Sequence, residues 1–273
     1  LGSTVFDQLP SEPTLTPNRC VAIAALLLTA CIAFAQASGP TLPLLRAPDA
    51  RYLLPQHQTL NYVVDWRVFP AGTASFHLDA DGNTEHINAN GADIGAINLL
   101  FKVNDRFQSA VDRHTGCSLY FNKQLQEGRR QITSSLQFNG AAGQQVLDEK
   151  NLVKGTAKHK QAAIPPCVSD LMSAIFYGAT QELEVGKSFS FPVADAMRVV
   201  DVTMNVEARE RVVTPAGTFD TFRVQPTADA GVVKNRGNIW IWYTDDVRHL
   251  PVQMRARLFW GTLTMHLSSI EQK

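Results

Sequence analysis

Val200, Val202, Met204, Val206 and Ala208 alternate without fault against Asp201, Thr203, Asn205, Glu207 and Arg209. A period of two is the signature of a strand with one face in a core and the other in water. The pattern recurs along most of the chain. Leu60 to Val68 alternates, and Phe69-Pro-Ala-Gly72 turns it back into Thr73 to Leu78. Asp81-Gly82-Asn83 is a hairpin turn, and a third strand follows it to about Ala89. Val103 to Asp112, Cys117 to Lys123 and Gln131 to Phe138 are further strands, with turns at Arg113–Gly116, Glu127–Arg130 and Asn139–Gly143. Gln144 to Ala163 is polar and weakly patterned, either a long hairpin or a loop. Phe219 to Val224 returns from the Pro215–Thr218 turn, and Asp229 to Asn235 has the composition of a loop. The stretch from Gly237 to Leu267 closes the chain as three strands.

Two short helices interrupt the strands. Asp93 can cap one over Ile94 to Phe101. Ser169 can cap a second through about Tyr177, with Asp170 in its first turn, where a carboxylate suits the dipole. Ten to twelve strands in hairpin order with two helices predict a mainly β fold, a large antiparallel sheet curled on itself or an open barrel.

The N-terminal segment has a different character. Residues 1–18 look like leader overhang. Residues 19–37 fit a signal peptide, with Arg19 before an apolar run and small residues at Ala33, Ala35 and Ala37. The run is short for a bilayer span. Leu28-Thr-Ala-Cys31 also fits a lipoprotein cleavage box, in which Cys31 would carry the lipid and form a membrane anchor. Residues 38–57 are a Pro-rich linker, and 58–273 one β-rich domain. Periplasmic or secreted location is the expectation, with an anchored lipoprotein as the alternative.

Export gives the cysteines meaning. Cys20 and Cys31 fall in the leader, which leaves Cys117 and Cys167. An even pair in an exported chain suggests a disulfide, with two buried thiols as the other reading.

The chain carries 25 acidic and 25 basic side chains and no long run of like charge. Nothing in this pattern points to nucleic acid or to an acidic membrane surface. The seven histidines are scattered, without metal-ligand spacing, and no nucleophile elbow or phosphate loop is present. No cofactor, metal or catalytic residue is expected. Asp245-Asp246-x-Arg248-His249 is the densest polar cluster. A carboxylate pair can hold a cation or serve as acid and base; the plainer reading is a strand-end turn in which Arg248 answers Asp245 and Asp246.

Aromatic residues mark a candidate ligand wall. Trp66, Trp240, Trp242 and Trp260, with Tyr243, Phe101 and Phe176, could line an apolar cavity inside a curled sheet, or simply pack as core. Ile239, Ile241 and Tyr243 share one face of their strand, and Trp240 and Trp242 the other.

Several motifs in order resemble a known family. They are Leu60-Asn-Tyr-Val-Val-Asp-Trp66 with Ala71-Gly72, Leu100-Phe-Lys-Val-Asn-Asp-Arg106, Cys117-Ser with Glu127-Gly-Arg129, Pro166-Cys-Val-Ser-Asp-Leu171, Thr214-Pro-Ala-Gly-Thr-Phe219, and Trp242-Tyr-Thr-Asp-Asp246 with Leu250-Pro-Val252. Together they are similar to the uncharacterised exported bacterial proteins grouped as "domain of unknown function 3108", over about residues 58 to 270. The resemblance implies a cell-envelope protein with an open barrel of the lipoprotein-carrier type, and it carries no catalytic residues. Gly178-Ala179 departs from the Leu-Arg-like pair expected after the second helix.

The expectation is a non-catalytic envelope protein that binds a lipid, acyl chain or other hydrophobic small molecule in a β-sheet cavity gated by the two helices. The alternative is an assembly factor acting through an envelope protein partner. An enzyme centred on Asp245, Asp246 and His249 is the third reading.

Overall fold

The computed structural model describes residues 45–52, 55–94, 102–235, 238–258 and 261–272. They lie in one compact unit, residues 42–273. Fifteen strands form one sheet with the order β8-β7-β6-β5-β4-β3-β2-β1-β15-β14-β13-β12-β11-β10-β9. The first half comprises β1 (His57–Trp66), β2 (Phe69–Asp81), β3 (Thr84–Asp93), β4 (Asn104–Asp112), β5 (Ser118–Glu127), β6 (Arg130–Asn139), β7 (Gln144–Asn151) and β8 (Thr156–Ala163). The second comprises β9 (Ser169–Asp170), β10 (Ser188–Asp195), β11 (Arg198–Thr214), β12 (Gly217–Thr227), β13 (Asn238–Thr244), β14 (Pro251–Leu258) and β15 (Gly261–Gln272). All neighbours are antiparallel except β9 and β10. Chain-order hairpins build each half, and β1 and β15 join the halves in register from Gln58↔Gln272 to Trp66↔Leu263.

The polar Gln144–Ala163 stretch is a hairpin, β7 and β8. Strand β10 has no clean alternation and holds Pro192. It tolerates the proline because β9 pairs only with Val193 and Ala194, so no ladder amide is needed at Pro192 on that side.

Of the two expected helices, one lies among the described residues: α1 (Ser173–Ala179). It starts later than its sequence suggests, so Asp170 precedes the helix rather than sitting in its first turn, and Gly178 and Ala179 fall inside it. The helix expected over Ile94 to Phe101 falls outside the described residues, save Ile94. The expected Asp93 cap is instead the last residue of β3, and its carboxylate accepts the Val103 amide at 3.0 Å. One helical turn, α2 (Gly231–Asn235), stands where a loop was expected. No helix among the described residues is long and apolar enough to cross a membrane.

The sheet remains open, yet its β9 edge reaches the start of β5. The Ser118 amide donates to the Val168 carbonyl at 2.8 Å, and Cys117 and Cys167 form a disulfide beside it. Asp170 completes this seam. One carboxylate oxygen accepts the amides of Met172 (2.7 Å) and Ser173 (3.0 Å), and the other the hydroxyls of Ser109 (2.6 Å) and Ser118 (2.7 Å). Ser109, Ser118, Asp170 and Ser173 are all buried. The hydrogen bonds offset the cost of taking a carboxylate out of water.

The seam also needs Gly140. A Cβ there would stand 1.9 Å from the Pro166 carbonyl oxygen, which is backbone and cannot swing aside. Gly140→Ala should cost about 2–3 kcal/mol, the range of an overpacked core site. Gly91→Ala, which meets nothing within 4 Å, should cost about 1 kcal/mol or less. Urea unfolding of the two variants checks the difference.

The curled interior is filled by side chains. Leu60, Tyr62, Phe76, Leu78 and Ile87 from one half meet Val202, Met204, Val224, Ile241, Tyr243, Val252 and Leu267 from the other. Helix α1 inserts Phe176 and Tyr177 between them; Phe176 meets Phe76 edge-on at 5.5 Å, and Tyr177 meets Phe191 at 4.4 Å. Buried phenols need acceptors. Tyr62 donates to the Pro251 carbonyl and Tyr243 to the Ile175 carbonyl, both at 2.6 Å.

Candidate functional site

The end of the sheet that carries the β2–β3, β4–β5 and β13–β14 turns is crossed by a strap, residues 45–52. Its amides bind α1: Arg46 donates to the Tyr177 hydroxyl at 2.8 Å and Asp49 to the Thr180 carbonyl at 2.7 Å. Its remaining polar contacts are on the surface, where Arg51 bridges Asp49 (3.0 Å) and Glu182 (2.9 Å). Exposed pairs of this kind contribute little. Leu45 and Tyr52 pack onto the core from the strap's inner side.

Beneath the strap lies an apolar cavity of about 60 Å³. Pro48 and Tyr52 roof it, Leu78 and Ile87 form the sheet wall, and Phe176 and Tyr177 close it from α1. Glu85 and Arg113 stand at its margin, with Arg113 Nε 3.5 Å from Glu85 Oε2. Both are nearly buried, and neither Glu85 oxygen has a hydrogen-bond partner among the described residues. Burial drives the Glu85 pKa up from the ordinary 4.5 to about 7, although the Arg113 charge pulls it down.

The folded chain holds this proton more tightly than the unfolded chain does. The stability that Glu85 contributes is therefore full below about pH 4.5 and lost as pH rises towards about 7. The loss reaches at most about 3 kcal/mol at 1.36 kcal/mol per pKa unit. Glu85→Gln should flatten that fall and raise stability at pH 8; urea unfolding from pH 4 to 8 reads both.

Of the aromatic residues expected to form a ligand wall, Phe176 lines this cavity and Tyr243 lies in the core behind it. Trp240 and Trp242 share the other face of β13, opposite Arg255 and Gln253 of β14, and Trp242 is buried as part of the core. Trp240 Nε1 donates to Glu207 at 3.2 Å, and Trp242 Nε1 to Glu210. Arg223 ties the same two carboxylates, and Arg255 lies over the Trp242 ring at 5.3 Å. Both indoles are thus tied to a charged network, Trp242 from within the core. Trp66 is at the far end of β1 from the strap. Phe101, Trp260 and Cys31 lie outside the described residues.

Sequence reasoning missed Tyr52, Glu85, Arg113 and Tyr177. For Glu85 a signal existed: it is in phase with Ile87 and Ala89 on the buried face of β3, where an acid is out of place.

The acidic cluster forms a turn. Asp246 accepts Thr244 Oγ1 and the Arg248 amide, both at 2.9 Å, and pairs with the Arg248 guanidinium at 2.6 Å. Burial pushes its carboxyl up, but the bonds from Arg248 and Thr244 outweigh burial and hold it below the usual range. Asp245 pairs with Arg209. His249 donates from Nδ1 to the Ala179 carbonyl at 2.8 Å, which fixes its tautomer. A polar hollow of about 270 Å³ lies between this turn and Asp49, Arg51 and Glu182.

The model of the family described as "Protein of unknown function (DUF3108)" matches residues 61–268. No curated protein matches the chain. Among solved structures, a β-barrel-like protein of the domain of unknown function DUF1849 from Brucella abortus aligns with a TM-score of 0.53 at 10% identity, over 80% of this chain and 98% of that one. A protein from Bacteroides fragilis, described as exported with a YmcC-like fold, aligns at 0.36 and 8% identity over 81% and 98%. One from Parabacteroides distasonis described as a lipoprotein aligns at 0.31 and 10% over the same shares. The first of these likenesses places the sheet among β-barrel-like folds.

Proposed function

The chain belongs to the DUF3108 family of proteins of unknown function, and from that premise we propose an exported, non-catalytic envelope protein that holds an amphipathic molecule beneath the strap. The observation that carries the reading is the cavity itself. Its walls are apolar, and Glu85 is buried at its margin with neither oxygen hydrogen-bonded among the described residues and only the Arg113 guanidinium, at 3.5 Å, to answer its charge. A guest with an apolar chain and a hydroxyl or amine donor would cover the walls and satisfy Glu85. A lipid or acyl chain carrying such a head fits that description. The leader pattern at residues 19–37 and the Cys117–Cys167 disulfide support export, since such bonds persist in oxidising compartments.

The mechanism is passive. With the strap down, about 60 Å³ is too little for a chain, so the guest enters only when residues 45–52 lift. Two amide bonds, the surface pairs and the packing of Leu45 and Tyr52 hold the strap. Tyr52→Ala removes most of the roof and should speed entry. Native mass spectrometry of protein purified from the envelope, with titration of a fluorescent fatty acid and the matching fatty alcohol, is the test. Saturable binding, tighter for the fatty alcohol than for the fatty acid and faster in Tyr52→Ala, is expected. Absence of both co-purified lipid and saturable binding would sink the reading.

A further inference from the structure

We infer that the end of the sheet opposite the strap docks on a lipid bilayer that carries anionic headgroups. Apolar side chains gather there at two hairpin tips, with the cationic β5–β6 turn between them. Val68 and Phe69 at the β1–β2 turn are 81% and 63% exposed, and Leu152 and Val153 at the β7–β8 turn 56% and 59%. Trp66 and Ile94 at the same end are also exposed. The other exposed large apolar side chains, Leu119, Val185, Val213 and Val247, stand singly on separate elements. Scattered positions need no explanation; an array of tips does.

Backbone bonds tie each described turn at this end to a neighbouring element. Arg67 N–H donates to Thr262 (2.7 Å), Ile94 to Ala71 (3.2 Å), Gly128 to Lys102 (2.7 Å) and Leu152 to Gln131 (2.9 Å). Charge selects the partner. Lys102, Arg129 and Lys154 lie on the connecting turns and Arg130 opens β6, against Glu127, which pairs with Arg130, and Asp65, which faces His266 at 3.6 Å. Asp93 and Asp105 turn an oxygen onto the amides of Val103 and Gln126. Behind the Leu152 tip lies a hollow of about 300 Å³, lined by Arg106, Asn104, Gln124 and Gln126. Arg106 has no ion pair among the described residues. Apolar tips to enter the interface, cations around them and a donor-lined hollow suit phosphate headgroups over acyl chains. A protein partner would need apolar tips but not this excess of cations. Docked in this way, the strap faces the aqueous side, so the surface is separate from the cavity.

Hydrogen–deuterium exchange of the full chain is measured with phosphatidylcholine vesicles, with and without phosphatidylglycerol. Protection of residues 66–69 and 151–155 on the anionic vesicles, with 245–249 unaffected, is expected. Lys154→Gln with Arg129→Gln should weaken vesicle affinity on the order of thirtyfold, from about 1 kcal/mol per basic residue near the surface. Phe69→Ser with Leu152→Ser, at exposed positions, should weaken it comparably while leaving the melting temperature in place. The leader is common to every variant, so the ratios report the rim. Protection absent from the rim, equal on neutral vesicles or confined to the strap end overturns the inference. Rim protection that appears only when an envelope protein extract is added overturns it in favour of a protein partner. Fatty-acid binding can fail without touching this result, and the converse also holds.

Discussion

Asp170→Ala is expected to destabilise the protein by about 3–5 kcal/mol, the range for breaking a buried charged network. The change strands four donors at once. The amides of Met172 and Ser173 lose the acceptor that starts α1, and the hydroxyls of Ser109 and Ser118 lose theirs in the seam. Ser109, Ser118 and Ser173 are buried, so their three donors have no route to water. Asp170→Asn keeps one acceptor oxygen for the two amides. Its amide nitrogen can donate to serine hydroxyls, which rotate to accept, so the cost should fall to about 1–2 kcal/mol. Equilibrium urea unfolding of both variants reads the difference. Equal losses would mean that Asp170 only fills space.

Removing the disulfide should have an effect of similar size by another route. Cys117 and Cys167 close a loop with a sequence separation of 50. Chain entropy alone assigns such a loop about 4 kcal/mol, through the unfolded state. Cys117→Ser with Cys167→Ser, or reduction of the native protein, should lower the urea midpoint accordingly. It should also free the β9 edge from β5 first, because the covalent tie is gone and the Ser118–Val168 bond, the Asp170 cluster and the packing near Gly140 then hold the seam. The two perturbations share neighbours, so they should not add. The double variant should lose less than the sum, with a coupling of about 1 kcal/mol or more. Additive losses would show that bridge and carboxylate act independently.

Much of the fold was legible because strand character is local. Alternation at Val200 to Ala208 fixes which side chains share a face whatever the rest of the chain does. Elements that break the rule were not visible. Strand β10 carries Pro192 and an almost wholly buried C-terminal half, so it has no period to read. Asp170 looked like a residue of the first helical turn because the pattern Ser-Asp before apolar residues fits such a start. Its carboxylate instead serves two serines from strands more than fifty residues away. The rim cations are dispersed from Lys102 to Lys154, so no run of charge announces them.

The stretch Ile239 to Tyr243 shows where the division falls. Its sequence determined that Ile239, Ile241 and Tyr243 oppose Trp240 and Trp242, since a strand alternates by geometry. Which side faced the interior it could not determine, because both sides carry large apolar groups. That was decided by Glu207, Glu210 and Arg223, which neighbouring strands place on the tryptophan face, where they meet the indole N–H groups and their charges keep access to water. The strap-covered cavity is decided in the same way. Glu85, Arg113, Tyr52 and Phe176 come from four separate segments, and only the curl of the sheet, pinned at Cys117–Cys167, brings them within one wall.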